Sequence, residues 1–483
     1  MMNNLAFTPI RRLGGMLRSQ SLSPVELAEY CLARLERLGP RYNALVTLTA
    51  DRALETARTA EAEIAEGRDR GLLHGVPWGA KDLLATAGGI PTTWGAEPFR
   101  DQQFEYDATV VGKLEESGAP LAAKLAMIEL AGGMGYTQPD ASLTGPPKNP
   151  WDRGRWTGGS SSGSGAAVSA GMVPFAIGSE TWGSILMPAA SCGLSGLRPT
   201  YGRVSRHGAM ALCWTLDKLG PLCLTADDCG IVLEAISGPD PKDPTTRTKR
   251  FSYDSGYPPG RRYRIGVLKG VLDGAQEAVK RNFEAAVSSL ADVADFEEVE
   301  FPDLPYAEVT TTILMVEAAS AFEDFVAEGG PQHLAAPGYH SLGPYARPAI
   351  LATDYVKALR LRGVMARRVD EEMSGYDALA GPTSLSTATP IDRDFRSGSS
   401  SVAGTGDLMG AVGNGCGLPA ISVPNGFDPA GLPTGIQFMS RAYDENVCIA
   451  IAREFQSRTD WHTKHPGGPP RSLGDRGGGD RAA

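Results

Sequence analysis

Apolar residues recur at helical spacing near the start of the chain, and the first such run has a clear starting signal. Residues 23–26, Ser-Pro-Val-Glu, form a capping-box pattern with proline at the first helical position. Residues 51–66 are rich in alanine and charge and also have helical spacing. The pattern therefore predicts two early helices, and the apolar face of the first consists of Leu27, Cys31, Leu35 and Leu38.

Short apolar runs alternate with the helical segments. Residues 75–81 form one such run, which ends at Lys81 and Asp82 as a buried strand would end before a loop, and residues 172–177 form another. Between them, residues 107–118 are typical of a helix, with aspartate at its start and glycine at its end. Such alternation favours a mixed or largely parallel sheet flanked by helices.

The length and apolar content of the chain set its possible domain organisation. With 483 residues, of which 42% are hydrophobic, it can bury a large core in one α/β domain or in two smaller ones. Residues 240–265 are typical of a surface connection, and residues 396–407 of a loop. Residues 466–483 contain too few apolar side chains to pack, so we expect a disordered tail there.

Charge and cysteine content exclude several classes of partner. The formal net charge is −10, and lysines and arginines do not cluster, which argues against nucleic acid or an anionic membrane as a partner. Seven scattered cysteines without a CxxC pair are typical of reduced thiols. The N-terminal segment has no apolar run long enough for a signal peptide or a membrane span. We therefore expect a cytoplasmic protein.

Two serine clusters set in glycine are the strongest chemical signal in the sequence. Residues 158–165 read GGSSSGSG, and residues 179–186 read SETWGSIL. Glycine beside serine suits a site where the backbone approaches a ligand closely and donates N–H groups to it. A flexible linker and a phosphate-binding loop are the competing interpretations, but both flanks are apolar and no GxxxxGK[ST] motif is present.

The residues alone leave two candidates for the base that would activate a serine nucleophile, a histidine or a lysine. The first cluster satisfies the G-x-S-x-G pattern of an α/β-hydrolase, which would need a downstream acid and histidine. The available histidines have ordinary contexts: His207, His333, His340, His462 and His465. A lysine can serve instead when burial leaves it neutral, and Lys81 at the end of an apolar run is the candidate.

Several further motifs resemble the amidase signature family. They are HGVPWGAKD at residues 74–82, the serine clusters, GLRPTYGRVSRHG after the second cluster, and GCGLPAISVPNGF near the C-terminus. The resemblance covers most of residues 20–460 and is weakest at about 250–375. It implies one α/β/α domain at residues 1–465, with a mixed, mostly parallel sheet covered by helices on both faces.

The resemblance also implies a Ser–cis-Ser–Lys triad. Ser184 matches the nucleophile, Ser160 the bridging serine after a cis peptide bond, and Lys81 the base. Ser161 matches a supporting position that hydrogen-bonds the lysine. No cofactor or metal is expected. The oxyanion hole would consist of the backbone N–H groups of Thr181, Trp182, Gly183 and Ser184.

The second cluster departs from the family pattern, which is close to GTDTGGSIR. Glu180 replaces aspartate, Trp182 replaces glycine, and Leu186 replaces a basic residue. We expect Trp182 to form a wall of the pocket that favours apolar or aromatic substrates, and the loss of the basic residue argues against an acyl group with a carboxylate. Further specificity should come from the 250–375 region and from loops near Gly132 and Gly133.

The resemblance leaves more than one function open. The leading hypothesis is a stand-alone amidase that hydrolyses a small-molecule carboxylic amide, and esters or carbamates are further substrates that the chemistry allows. The alternative is the glutaminase component of a tRNA-dependent amidotransferase, whose ammonia would pass to a partner protein. Because all three triad positions are filled, a non-catalytic scaffold is disfavoured. Assembly as a homodimer is compatible with each hypothesis.

Overall fold

Eleven strands form a single sheet at the centre of the protein. The computed structural model describes residues 5–256, 261–336, 349–393 and 407–467. The strands follow the spatial order β1-β3-β2-β4-β6-β5-β10-β11-β9-β7-β8. Their bounds are β1 Leu45–Leu48, β2 Trp78–Lys81, β3 Leu121–Leu125, β4 Phe175–Glu180, β5 Ser195–Arg198, β6 Lys218–Cys223, β7 Tyr263–Leu268, β8 Ala294–Val299, β9 Ala378–Pro382, β10 Ala420–Phe427 and β11 Pro433–Met439.

The sheet is mixed, as predicted, but it is not mostly parallel. Of the ten pairings between the described strands, six are antiparallel and four are parallel. β6 lies antiparallel between β4 and β5, and β10 forms an antiparallel hairpin with β11. The alternation of elements along the chain reports their order and not the direction in which each strand enters the sheet, so this part of the prediction was wrong.

Thirteen α-helices surround the sheet in the part of the chain that the structure describes. None of them is long and apolar enough to cross a membrane. Their bounds are α1 Ile10–Arg18, α2 Pro24–Tyr42, α3 Ala50–Ala65, α4 Thr109–Glu116, α5 Ser162–Ser169, α6 Leu186–Cys192, α7 Ala226–Ile236, α8 Glu277–Ser289, α9 Tyr306–Ala321, α10 Glu323–Ala327, α11 Ala352–Met373, α12 Leu408–Gly415 and α13 Glu445–Arg458.

The local signals in the sequence place the early elements correctly. Ser23 caps α2 with a complete capping box, in which its side chain accepts from backbone N–H groups and Glu26 bonds back to it. The strand expected at residues 75–81 begins at Trp78, and the one expected at 172–177 is shifted to 175–180. Because of that shift, residues 179 and 180 are part of a buried strand instead of a loop.

The central strands are covered on both faces, which confirms the predicted α/β layers. Every residue of β2, β3, β4 and β6 is buried, as expected for strands with helices above and below them. Trp78 of β2 stacks on Phe175 of β4 with ring centroids 6.2 Å apart. The expected tail at 466–483 lies outside the described residues apart from its first two positions, so the domain boundary at residue 465 stays a prediction.

Candidate active site

Lys81 is the last residue of β2 and is completely buried. β2 runs parallel to β4, with Ala80 paired to Ile177, so Lys81 lies beside the C-terminal end of β4. Its Nζ donates to Ser160 Oγ at 2.7 Å and to Ser179 Oγ at 2.9 Å. The lysine is thus held between a loop serine and a strand serine, with no carboxylate in direct contact among the described residues.

The surroundings of Lys81 favour its neutral form. Burial lowers its pKa to about 7, and the negative charges of Asp217 and Glu180 oppose the shift without cancelling it. An amine with this pKa is unprotonated in a large fraction of molecules near neutral pH and can accept a proton. The structure therefore supplies the physical condition that a lysine base requires.

The first serine cluster lies between Lys81 and the second cluster. The peptide bond between Gly159 and Ser160 is cis, as the resemblance implied. The backbone N–H of Ser161 donates to the carbonyl oxygen of Ser184 at 3.3 Å, which ties the two clusters together. Ser184 and Gly159 line the same cavity. The structure thus brings Lys81, Ser160 and Ser184 into one region.

Ser161 makes a contact different from the expected one. Its hydroxyl accepts from the backbone N–H of Ser179 and donates to the Ser179 carbonyl oxygen, both at 3.2 Å. The expected hydrogen bond with Lys81 is absent among the described residues, because the Ser161 side chain is used to hold β4. It can support the lysine only through Ser179.

Ser179 is the contact that the sequence analysis missed. It lies in β4, and its hydroxyl occupies the second hydrogen-bonding position of the Lys81 amine. The sequence placed it at the edge of a loop, and only the register of β4 against β2 brings it to Lys81. The serine that opens the second cluster was the available signal.

The turn that ends in Ser184 contains one glycine in the left-handed region and several backbone N–H groups that are unpaired among the described residues. Gly183 has φ of +79°, whereas Trp182 does not have a positive φ, so the tryptophan introduces no backbone strain. The N–H groups of Trp182, Gly183 and Ser184 donate no hydrogen bond to any described residue. They are therefore available to a ligand oxygen, as the predicted oxyanion hole requires.

The carboxylate of Glu180 stabilises this turn through hydrogen bonds. Its carboxylate is fully buried and accepts from the N–H groups of Ile185 and Leu186 at 2.9 and 3.0 Å and from Arg198 at 2.9 Å. Burial alone would raise the pKa of Glu180, but Arg198 and the two N–H groups bring it below its usual range. The glutamate is therefore ionised. It fixes the start of α6, and Ser184, the nucleophile candidate, lies two residues before this helix.

Asp217 also stabilises this turn. Its carboxylate accepts from Thr181 Oγ1 at 2.6 Å and from two backbone N–H groups, of Leu212 and Cys213, at 2.8 and 2.9 Å. Burial raises its pKa. These contacts give Asp217 a supporting role in the turn.

Neither a buried cysteine near the second cluster nor the histidines named above offer an alternative nucleophile or base in the described residues. Cys192 is buried, and burial raises the pKa of its thiol, which disfavours a reactive thiolate. None of the histidines in the described ranges lines the cavity, and His340 lies outside those ranges.

The cavity beside Ser184 has a volume of about 370 Å³ and mostly apolar walls. The groups that carry chemistry come from residues 81–184, whereas much of the wall comes from α9, the end of β9 and the start of α12. Gly132 and Gly133 also line it, as expected. Arg198 is the only lysine, arginine or histidine among the described lining residues, and it is paired with Glu180. The apolar wall residues include Trp182, Leu186, Leu314, Met315, Leu408 and Met409.

Comparison with known proteins gives a consistent assignment over nearly the whole chain. The family model described as Amidase matches residues 26–449. A glutamyl-tRNA(Gln) amidotransferase subunit from Carboxydothermus hydrogenoformans is 35% identical over 495 residues, which cover 96% of this chain and 99% of that protein.

Two solved structures show the same fold. The native peptide amidase from Stenotrophomonas maltophilia superposes with a TM-score of 0.81 at 29% identity, covering 94% of this chain and 98% of that one. The corresponding glutamyl-tRNA(Gln) amidotransferase subunit from Thermotoga maritima has a TM-score of 0.77 at 30% identity, covering 94% and 95% of the two chains.

Proposed function

This chain belongs to the amidase signature family of amide hydrolases, and from that premise we propose that it hydrolyses neutral, largely apolar carboxylic amides through an acyl-enzyme on Ser184. The observation that carries the proposal is the buried Lys81, whose pKa is lowered to about 7 and whose Nζ bonds Ser160 Oγ at 2.7 Å. Gly159, the residue before Ser160, lines the same cavity as Ser184.

The proposed chemical step begins with proton transfer. Neutral Lys81 takes the proton of Ser160, which takes the proton of Ser184, while the Ser184 oxygen attacks the amide carbonyl carbon. The negative charge on the carbonyl oxygen is stabilised by the free N–H groups of Trp182, Gly183 and Ser184, and removing one such donor typically costs about 3 kcal/mol of barrier. Collapse of this intermediate breaks the C–N bond.

The relay then runs in reverse. Lys81 returns its proton through Ser160 to the departing amine, which leaves as a neutral molecule. A water molecule loses a proton to the same relay and attacks the ester carbon. The bond from that carbon to the Ser184 oxygen then breaks, the acid departs, and the relay returns the proton to Ser184. No group outside the described residues and water is needed for the balance of atoms and protons.

The apolar walls support a neutral substrate. The described lining residues provide no unpaired cation for a substrate carboxylate, and Trp182 and Leu186 lie next to the nucleophile candidate. Desolvating a charged substrate group without a partner would cost binding energy.

A second function has direct support from the relatives. The 35% identity to a glutamyl-tRNA(Gln) amidotransferase subunit over 96% of this chain favours a glutaminase that works with partner proteins. Free glutamine carries a carboxylate, for which the described lining residues provide no unpaired cation.

Covalent trapping tests the proposed mechanism. We expect a fluorophosphonate probe to label the wild-type protein and the Ser164→Ala control, whose serine lies in the same cluster as Ser160, but not Ser184→Ala. Hydroxylamine should intercept the acyl group as a hydroxamate during turnover of a neutral amide. Labelling that persists in Ser184→Ala would refute the assignment.

Substrate turnover separates the two functions. The purified chain should hydrolyse hexanamide and anilides without a partner and release ammonia from glutamine slowly or not at all. Glutamine hydrolysis that appears only when the other amidotransferase components are added would establish the alternative.

A further inference from the structure

An aspartate at the start of α12 lines the cavity. Asp407 caps this helix, and its Oδ1 accepts from the backbone N–H of Gly410 at 2.8 Å. The same side chain lines the cavity opposite the turn that carries Ser184. A carboxylate in such a position would ordinarily attract a cationic group of a ligand.

The side chain of Trp182 already donates a hydrogen bond to this carboxyl group. The indole Nε1 donates to Asp407 Oδ2 at 3.1 Å, across 225 positions of sequence. Trp182 lies two residues before Ser184, so the bond joins the nucleophile turn to the opposite wall of the cavity.

The contact is closely packed against Gly410. A Cβ atom at this position would lie 1.8 Å from Asp407 Oδ2 and 2.7 Å from Trp182 Nε1. Only glycine leaves room for both side chains to meet there. The three residues form one continuous piece of wall, which we call the Trp182–Asp407 partition.

We propose that the Trp182–Asp407 partition determines specificity by excluding substrates with a cationic group and admitting those with a neutral one. This inference rests on the proposed function, because it concerns the substrate of the same site. An incoming ammonium would lose its hydration, and each oxygen of Asp407 already accepts one hydrogen bond, Oδ2 from the indole N–H and Oδ1 from the Gly410 N–H. Burial raises the pKa of Asp407, while the paired charges of Arg198 and Glu180 act on that carboxyl group with opposite signs.

The chain itself offers a way to reverse this selection. Trp182→Phe keeps an aromatic ring but removes the N–H donor, which frees Asp407 Oδ2 for a ligand cation. Trp182→Leu does the same with an aliphatic side chain and serves if the first variant does not fold. Asp407→Asn is the matched control, because asparagine also caps helices and its oxygen can accept from Trp182.

Equilibrium binding tests the inference without turnover. Titration calorimetry compares pentylammonium with 1-pentanol, which have similar chain lengths and differ in charge. The wild-type protein should bind pentanol more tightly. Trp182→Phe should bind pentylammonium at least about tenfold more tightly than wild type does, as expected for a newly available charge pair, and Trp182→Phe/Asp407→Asn should lose that gain.

Three results would overturn the inference. One is wild-type protein that prefers pentylammonium, another is a Trp182 variant without any gain, and the third is a gain that survives in the double variant. Turnover provides the separate check on the proposed function, with heptanamide paired against 6-aminohexanamide, and N-pentylacetamide against N-(4-aminobutyl)acetamide.

The two failures are distinguishable. If binding switches as expected but neither wild type nor the variants hydrolyse any of these amides, the proposed function fails and the partition stands. If the neutral amides are hydrolysed but the binding preference does not move in the Trp182 variants, the partition fails and the proposed function stands.

Discussion

The pH dependence of turnover depends directly on the burial of Lys81. Its pKa falls from 10.5 to about 7 because the ammonium is cut off from water. At pH 7 about half of the lysines are then neutral, compared with roughly one in 3,000 for an ordinary lysine. Burial therefore raises the fraction of competent enzyme about a thousandfold at neutral pH.

The expected profile follows from this fraction. For an uncharged substrate, kcat/KM should rise about tenfold per pH unit below pH 7, bend near pH 7 and be flat above pH 8, a gain of about a hundredfold between pH 5 and pH 9. Initial rates with hexanamide over pH 5–10 measure it. A maximum at pH 5, or a rise that begins only above pH 9, would refute the assignment of Lys81 as base.

Two variants identify the titrating group. Burial also lowers the pKa of Lys218 to about 7, but its Nζ bonds the carbonyl of Leu216 and not the triad. Lys218→Met should therefore keep the bend near pH 7. Asp217→Asn should move it to lower pH, because the negative charge of Asp217 raises the pKa of Lys81. A bend that vanishes in Lys218→Met would show that Lys218, and not Lys81, is the titrating lysine.

Three further predictions concern activity and stability. Lys81→Met should stabilise the fold by up to about 4 kcal/mol at pH 7, as measured by urea unfolding. The pKa of Lys81 is lower in the folded state than in the unfolded state, so the buried lysine destabilises the wild-type protein most at low pH. This destabilisation disappears as the pH rises from 7 to 10.5, and the advantage of the variant should shrink over the same window. Glu180→Gln leaves buried Arg198 without its counter-ion and should lower the free energy of unfolding by about 3–5 kcal/mol, together with kcat; an unchanged urea midpoint would contradict the role of this ion pair. Ser184→Ala should lose at least about a thousandfold in kcat with an unchanged circular dichroism spectrum, and retention of most activity would exclude it as nucleophile.

The sequence was sufficient for features that are encoded locally. The helix starting at Pro24 has its cap and apolar face within a few residues, and the structure contains both. The motifs around Lys81 and Ser160 led to two side chains that are in hydrogen-bonding contact. Their assigned roles in catalysis remain predictions until the variants above are measured.

Features that depend on strand register or distant packing could not be predicted in this way. Ser179 reaches Lys81 only because β4 lies parallel to β2 with a particular register. The bond between Trp182 and Asp407 joins residues 225 positions apart, and no local pattern pairs them. Strand direction was likewise misjudged, because it is set by how crossovers and hairpins enter the sheet.

The division of the cavity between two stretches of chain has an evolutionary consequence. The triad candidates lie within residues 81–184, while α9, the end of β9 and the start of α12 supply much of the wall. Substitutions in those later elements can change which amide is accepted while the reaction machinery is inherited intact. Trp182 is the exception, since it belongs to the nucleophile turn and also touches the far wall. A substitution of this tryptophan would therefore alter both parts of the cavity at once.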